Sequence, residues 1–208
     1  GVWRAAFKPL VDRIADTDIR LQWFCCDRST GVTDASGKRV TLIRDTKYPV
    51  SVEYQTVKFI GTGRDNIKAG VFSGWELGDY IYLRSEEAYM IKMEALAHKG
   101  SADAITELNS FMKTRQPDYN YTFTNKTDLI EEIIYQKRVE FWGEGLEYID
   151  NRRLNIPVDR TDETWGAENN NHFSAGKFRY NQEERPFLYQ LPLSEIENNS
   201  QLSPTDQN

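Results

Sequence analysis

The sequence predicts a mainly α protein: an α/α array with tetratricopeptide-like helix packing, surrounded by short strands and long loops. Three observations carry this expectation. Residues 81–99 and 102–115 each space their apolar side chains at helical intervals. Only Gly100-Ser101 separates them, a turn too short for anything but an antiparallel pair. A third stretch, from Thr127, opens on acidic residues and gathers isoleucines on one stripe.

Composition limits the function classes. The chain has 208 residues, 39% of them hydrophobic, enough for a core in one domain or in one domain plus a fragment. The net charge of −6 and the short KR and RR runs argue against nucleic acid, which favours a basic patch. No apolar run approaches the roughly 20 residues needed to cross a bilayer. The opening GVWRAAFKPL lacks the apolar core of a signal peptide, and its Val2, Trp3 and Phe7 read as a mid-domain start. Cys25 and Cys26 are adjacent and read as unpaired thiols. No CxxC or HxxxH spacing is present, and His98 and His172 lie far apart in sequence, so neither a metal nor a cofactor is expected.

Residues 1–80 read as a mixed strand and loop segment, punctuated by Gly31, Ser36-Gly37, Gly61, Gly63 and Ser73-Gly74. Val40–Ile43 and Val50–Phe59 have strand character, and the alternation of the second slips by one near Gln55-Thr56, which suggests a bulge or a strand end. Asp12, Asp16 and Asp18 form an acidic cluster too sparse for a calcium loop, so solvation or capping is the expected role. Gly61-Thr62-Gly63 lacks the third glycine and the Lys-Ser/Thr of a nucleotide site and reads as a turn.

In the first helix, Arg84, Ala88, Ile91 and Ala95 fall on one stripe, with Leu83, Glu87, Met90 and Glu94 beside it. Ser101 is the expected N-cap of the second, whose face is Ala102, Ile105, Leu108 and Met112. Pro117 ends the pair, and Tyr119, Tyr121 and Phe123 follow in an aromatic loop. Thr127 is the expected cap of the third helix, with Ile130, Ile133, Ile134, the Lys137 stem and Phe141 as its stripe. Gly143 and Gly145 weaken it, and Leu146, Tyr148 and Ile149 continue in an altered direction. Residues 154–186 are polar and aperiodic, and Glu168–His172 reads as exposed loop.

The segment Gln136–Arg153 (QKRVEFWGEGLEYIDNRR) carries charges of both signs at helical spacing. An enzymatic reading pairs Glu140 and Glu144 as acid and base for glycoside hydrolysis, since i and i+4 carboxylates lie close on a helix. The competing reading is a salt-bridge network where helices meet loops, and it is favoured because mixed charges at this spacing usually pair. Leu83–Ala95 (LRSEEAYMIKMEA) and Phe187–Asn199 (FLYQLPLSEIENN) complete a set of three patterned segments.

Together these segments resemble the SusD/RagB family of outer-membrane nutrient-binding lipoproteins, over roughly the last two thirds of the chain. Arg84, Glu87, Tyr89, Glu94 and Ala95 match the first family pattern. Arg138, Glu140, Glu144, Gly145, Asp150 and Arg153 match the second, and Phe187, Pro192, Glu195, Ile196 and Asn199 the third. The sequence departs from the second pattern at Gln136, Gly143, Leu146 and Glu147, which alters local charge and leaves the spacing intact.

The resemblance implies that 81–208 is the C-terminal helical region of a longer protein, with 1–80 part of the same domain. It gives Arg84, Glu87, Glu94, Arg138, Glu140, Glu144, Asp150 and Arg153 a structural role. It implies non-catalytic binding of an oligosaccharide at the cell surface, and delivery to a SusC-type TonB-dependent outer-membrane transporter. Attachment to the membrane is expected only through an N-terminal lipid anchor absent from this chain. If the ligand is a sugar, its C–H faces stack on flat rings. Trp75 and Tyr80, on the turn FSGWELGDY, and Trp165, in a polar loop, are the candidate ligand-binding residues. A helical-repeat scaffold that binds peptides in a groove built by 81–115 and 127–145 is the alternative.

Overall fold

The computed structural model describes residues 6–25, 54–56, 58, 82–123, 125–184, 191–203 and 205. The expected strand Val40–Ile43, the glycine turn at 61–63, Cys26, Trp75, Tyr80 and Phe187 lie outside them. The described chain is mainly helical and divides into two compact units, 1–144 and 145–208.

In the first unit, α1 (Lys8–Asp12) and a 3-10 turn (Ile19–Trp23) precede β1 (Phe24–Cys25). β1 pairs antiparallel with β2 (Gln55–Thr56), Phe24 opposite Thr56. Tyr54, just before β2, adopts a left-handed φ of 64°. This backbone turn lies beside the point where the alternation slips in the sequence. Three longer helices follow: α2 (Ser85–His98), α3 (Asp103–Met112) and α4 (Lys126–Glu140).

Cross-helix contacts fix the directions. Lys92 meets Glu107 at 2.6 Å, the Tyr89 and Phe111 rings lie 6.3 Å apart, and Glu86 meets Arg115 at 3.3 Å. Rising numbers on α3 thus meet falling numbers on α2, as in the antiparallel pair the short turn requires. Gly100 supplies that turn with a φ of 71°. α4 also runs antiparallel to α2: Lys126 donates to the His98 carbonyl at one end, and Arg84 reaches Glu140 at the other.

Helix α4 is the centre of this unit. Leu129, Ile133, Ile134, Tyr135 and Val139 are buried on it, and so are Glu132, Gln136, Lys137 and Glu140. Ala6, Val11, Ile14, Leu21, Phe24 and Tyr54 pack with Tyr135 and Val139 into one apolar cluster. Trp142 closes that cluster edge-on against Phe24, with centroids 5.8 Å apart. Each fully buried aliphatic side chain there contributes roughly 1.5–3 kcal/mol.

The buried face of α3 is Ala104, Leu108 and Met112, with the expected Ala102 exposed, and two further helix details differ from the sequence expectation. Asn125, not Thr127, caps α4: its side chain accepts from the Asp128 amide at 2.9 Å, and the helix starts at Lys126. Replacing Asn125 with Ala is expected to cost about 1 kcal/mol in a urea titration, whereas Thr127→Ala leaves the cap in place. The buried stripe of α2 is Met90, Met93, Glu94 and Ala97, while Ile91 is 54% exposed and Ala88 and Ala95 face solvent. Glu94 can sit on the inner face because Lys137 of α4 meets it at 3.2 Å.

The second unit begins at Gly145, which has a φ of 87°, and continues as α5 (Leu146–Arg153). Asn155 (φ 53°) ends α5: its amide reaches the Arg152 carbonyl and the Ile156 amide reaches that of Asn151. That bond pattern is a Schellman closure, with Asn in place of the usual glycine. The described part of that polar stretch, 154–184, is ordered by side-chain bonds more than by apolar burial. β3 (Val158–Asp159) pairs antiparallel with β4 (Arg179–Tyr180), and α6 (Asp162–Trp165) lies between them in sequence. Asn170, inside the stretch expected to be exposed, is buried and donates to the Arg160 carbonyl and the Asp162 carboxylate. The last helix, α7 (Leu193–Asn198), starts at Pro192 and places Asn199 3.4 Å from Glu195.

Candidate functional site

Some of the residues singled out by sequence gather in two places. The first is an ion cluster at the C-terminal end of α4. Glu140 is 1% exposed and accepts from three guanidinium groups. Arg84 reaches its Oε1 at 2.8 Å, Arg115 the same oxygen at 3.0 Å, and Arg20 its Oε2 at 3.4 Å. Arg84 also donates to both Glu144 oxygens, at 2.9 and 3.0 Å, with its guanidinium 4.6 Å above the Phe141 ring. The Lys58 ammonium donates to Glu144 and to the carbonyls of Glu140 (2.6 Å) and Trp142 (3.1 Å). Arg20, itself 1% exposed, is held by Asp18 at 2.7 Å and by Gln136.

The electrostatics follow from this geometry. Burial alone would raise the Glu140 pKa. Hydrogen bonding from Arg115, the charges of Arg20 and Arg115 and the bond from Arg84 outweigh it and hold the group down to about 2. Burial lowers the Lys58 pKa, against its pairing with Glu144.

An acid–base pair for glycoside hydrolysis needs one carboxyl kept protonated near neutrality and both open to substrate. Glu140 is ionised and enclosed, and the Glu144 side chain is 6% exposed with its oxygens occupied by Lys58 and Arg84. The arrangement can fix helix ends and loops together, and it is unsuited to general acid catalysis.

Arg84, Glu140 and Glu144 thus meet in one cluster. Glu94 lies apart from it with Lys137 and, at 3.6 Å, His98. Glu87 is half-buried on the first turn of α2, and Arg138 is half-buried on α4. Asp150 and Arg153 form their own pair at 2.7 Å within the second unit. Sequence reasoning missed Arg20, Lys58 and Arg115. Each is a lone basic residue far from Glu140 in the chain, with no local spacing to signal it.

The second place is Trp165. It ends α6, is 37% exposed, and donates from Nε1 to the Asp159 carbonyl at 2.9 Å. That bond fixes the indole edge at the surface. Burial would raise the Asp159 pKa, but bonds from Thr164, Thr161 and Arg179 hold it at about 2. The adjacent carboxylate is therefore a permanent acceptor, already engaged.

The first unit thus closes the end of α4 with a buried ion cluster, and the second unit anchors a half-exposed tryptophan in a polar corner. The family model described as SusD family matches residues 14–208, and the chain belongs to that family. No curated protein matches the chain. Among solved structures it is similar to a SusD-like carbohydrate binding protein from Bacteroides vulgatus ATCC 8482, at 22% identity and a TM-score of 0.59. That similarity covers 93% of this chain and 40% of the other, so the chain spans well under half the length of the protein it matches.

Proposed function

We propose that this chain is the C-terminal portion of a cell-surface glycan-binding protein that captures an oligosaccharide without cleaving it. The carrying observation is the SusD family match over residues 14–208. The carbohydrate-binding description of the similar Bacteroides vulgatus protein supports the ligand class. The enclosure of Glu140 and Glu144 by cations supports binding over hydrolysis. In this reading the protein is lipid-anchored at the outer membrane and passes its ligand to a SusC-type TonB-dependent transporter.

Trp165 is the described residue proposed to stack on the sugar, and Trp75 and Tyr80 are proposed to share that role. Isothermal titration of neutral oligosaccharides tests the reading. Trp165→Ala is expected to weaken the best ligand about tenfold, which corresponds to ~1.4 kcal/mol. Absence of binding to every oligosaccharide of a broad panel by the full-length protein would overturn the reading. Co-purification with a TonB-dependent transporter from native outer membranes tests the delivery step.

A further inference from the structure

Helical spacing sets Ala88, Ile91 and Ala95 on one stripe of α2, and all three are exposed. The side buried in this chain is formed by Met90, Met93, Glu94 and Ala97. Successive residues of a helix turn by about 100°, so the two stripes lie on opposite sides of it. The neighbouring helices flank the exposed stripe without covering it. α3 meets α2 at Glu86, Tyr89 and Lys92, and α4 meets it at Glu94 and the His98 carbonyl.

This exposure is apolar and concentrated. Nine large hydrophobic side chains stand exposed among the described residues, and four of them, Tyr82, Leu83, Tyr89 and Ile91, fall within residues 82–91. Single apolar side chains are ordinary on a surface, whereas a contiguous group marks a contact. A helix at the surface has one apolar face, and a helix apolar all round is a buried one. α2 carries apolar residues on both sides, with Lys92 and Glu87 at the borders between them. Ala88 and Ala95 lie about one turn to either side of Ile91, which leaves shallow gaps for the side chains of a facing helix and lets its axis approach to about 8–10 Å.

Chain length identifies the occupant. The solved chain that this one resembles is much longer: the match takes up 93% of this chain and 40% of that one. More than half of that chain therefore has no counterpart here. The covered side of α2 is already packed by helices, and an amphipathic helix presents the stripe that complements the bare side.

We propose that α2 is an interior helix of the intact protein, and that an amphipathic helix from the polypeptide outside this chain packs over Ala88, Ile91 and Ala95, with Leu83 at the end of the contact. The proposal rests on the reading of this chain as the C-terminal portion of a longer protein and is independent of the ligand. Hydroxyl-radical footprinting, read by mass spectrometry on the full-length protein and on the 208-residue chain, tests it. Leu83 and Ile91 are expected to oxidise several-fold more slowly in the full-length protein. Ile91→Glu is expected to lower the thermal midpoint of the full-length protein by several degrees, because it buries an unpaired carboxylate. In the 208-residue chain the same substitution leaves the midpoint almost unchanged, because the site faces water there.

Equal oxidation of Leu83 and Ile91 in the two proteins, or a full-length midpoint that Ile91→Glu leaves unmoved, overturns the proposal and leaves the longer-protein reading standing. Slow oxidation in the 208-residue chain as well also overturns it, since the cover then comes from within this chain. Protection of the full-length protein that disappears on dilution gives the face to a second copy and overturns it likewise. A native polypeptide no longer than these 208 residues removes the longer-protein reading and the proposal together.

Discussion

Glu140→Gln is expected to lower the unfolding free energy by about 3–5 kcal/mol, the range for breaking a buried ion pair from one side. The substitution preserves volume and one acceptor but removes the charge that Arg20, Arg84 and Arg115 share. Three guanidinium groups then rely on Asp18, Glu144 and Glu86. Arg20, 1% exposed, has the least recourse to water. A urea titration with unchanged slope and a lowered midpoint reads the effect. Glu107→Gln is the control: its partner Lys92 is more than half exposed, and such a pair is worth about 1 kcal/mol or less. Equal losses in the two variants would show that Glu140 contributes no more than a surface charge.

Acidification is expected to act through the same carboxylate. The folded-state pKa of Glu140, about 2, lies below its ordinary value of 4.5. The unfolded chain therefore takes up the proton first as pH falls. The stabilisation is complete above pH ~4.5 and is lost progressively as pH drops towards ~2, in total on the order of 3 kcal/mol. Urea midpoints measured from neutrality down through this window should fall, and they should fall less in Glu140→Gln, which has no such proton to bind. Parallel curves for the two proteins would assign acid sensitivity to other groups, Asp159 among them.

Much of the helical frame is legible in the sequence because its signals are local. Gly100-Ser101 dictates an antiparallel partner for α2, and Gly143 and Gly145 break the chain between α4 and α5. The α2 stripe was harder to read because periodicity ranks side chains by hydropathy. Ile91 outranks Glu94 on that scale, yet Lys137, 43 residues away, makes the glutamate the better inner residue. The capping residue was misplaced for a similar reason: Asn125 and Thr127 are both good caps, and only the backbone turn before Lys126 selects between them. The β3–β4 pair escaped because its two residue pairs carry no alternation, and Asn170 and Gln182 order that region through backbone carbonyls.

The site shows the same division. Glu140 and Glu144 stood out at helical spacing, while Arg20 and Lys58 could be assigned to them only in three dimensions. Trp165 stood out as an aromatic in polar surroundings, and its anchoring to the Asp159 carbonyl is visible only in the fold.

Lys58 joins the last turn of α4 to a residue 82 positions earlier. The Glu140 carbonyl it caps is one that a helix end cannot satisfy by itself. That turn therefore gains full order only once a long loop has closed, at an entropic cost that rises slowly with loop length. Folding of this end should be among the late and slow events, and amide hydrogen exchange at Glu140–Trp142 should track release of the distant lysine more closely than fraying of the helix itself.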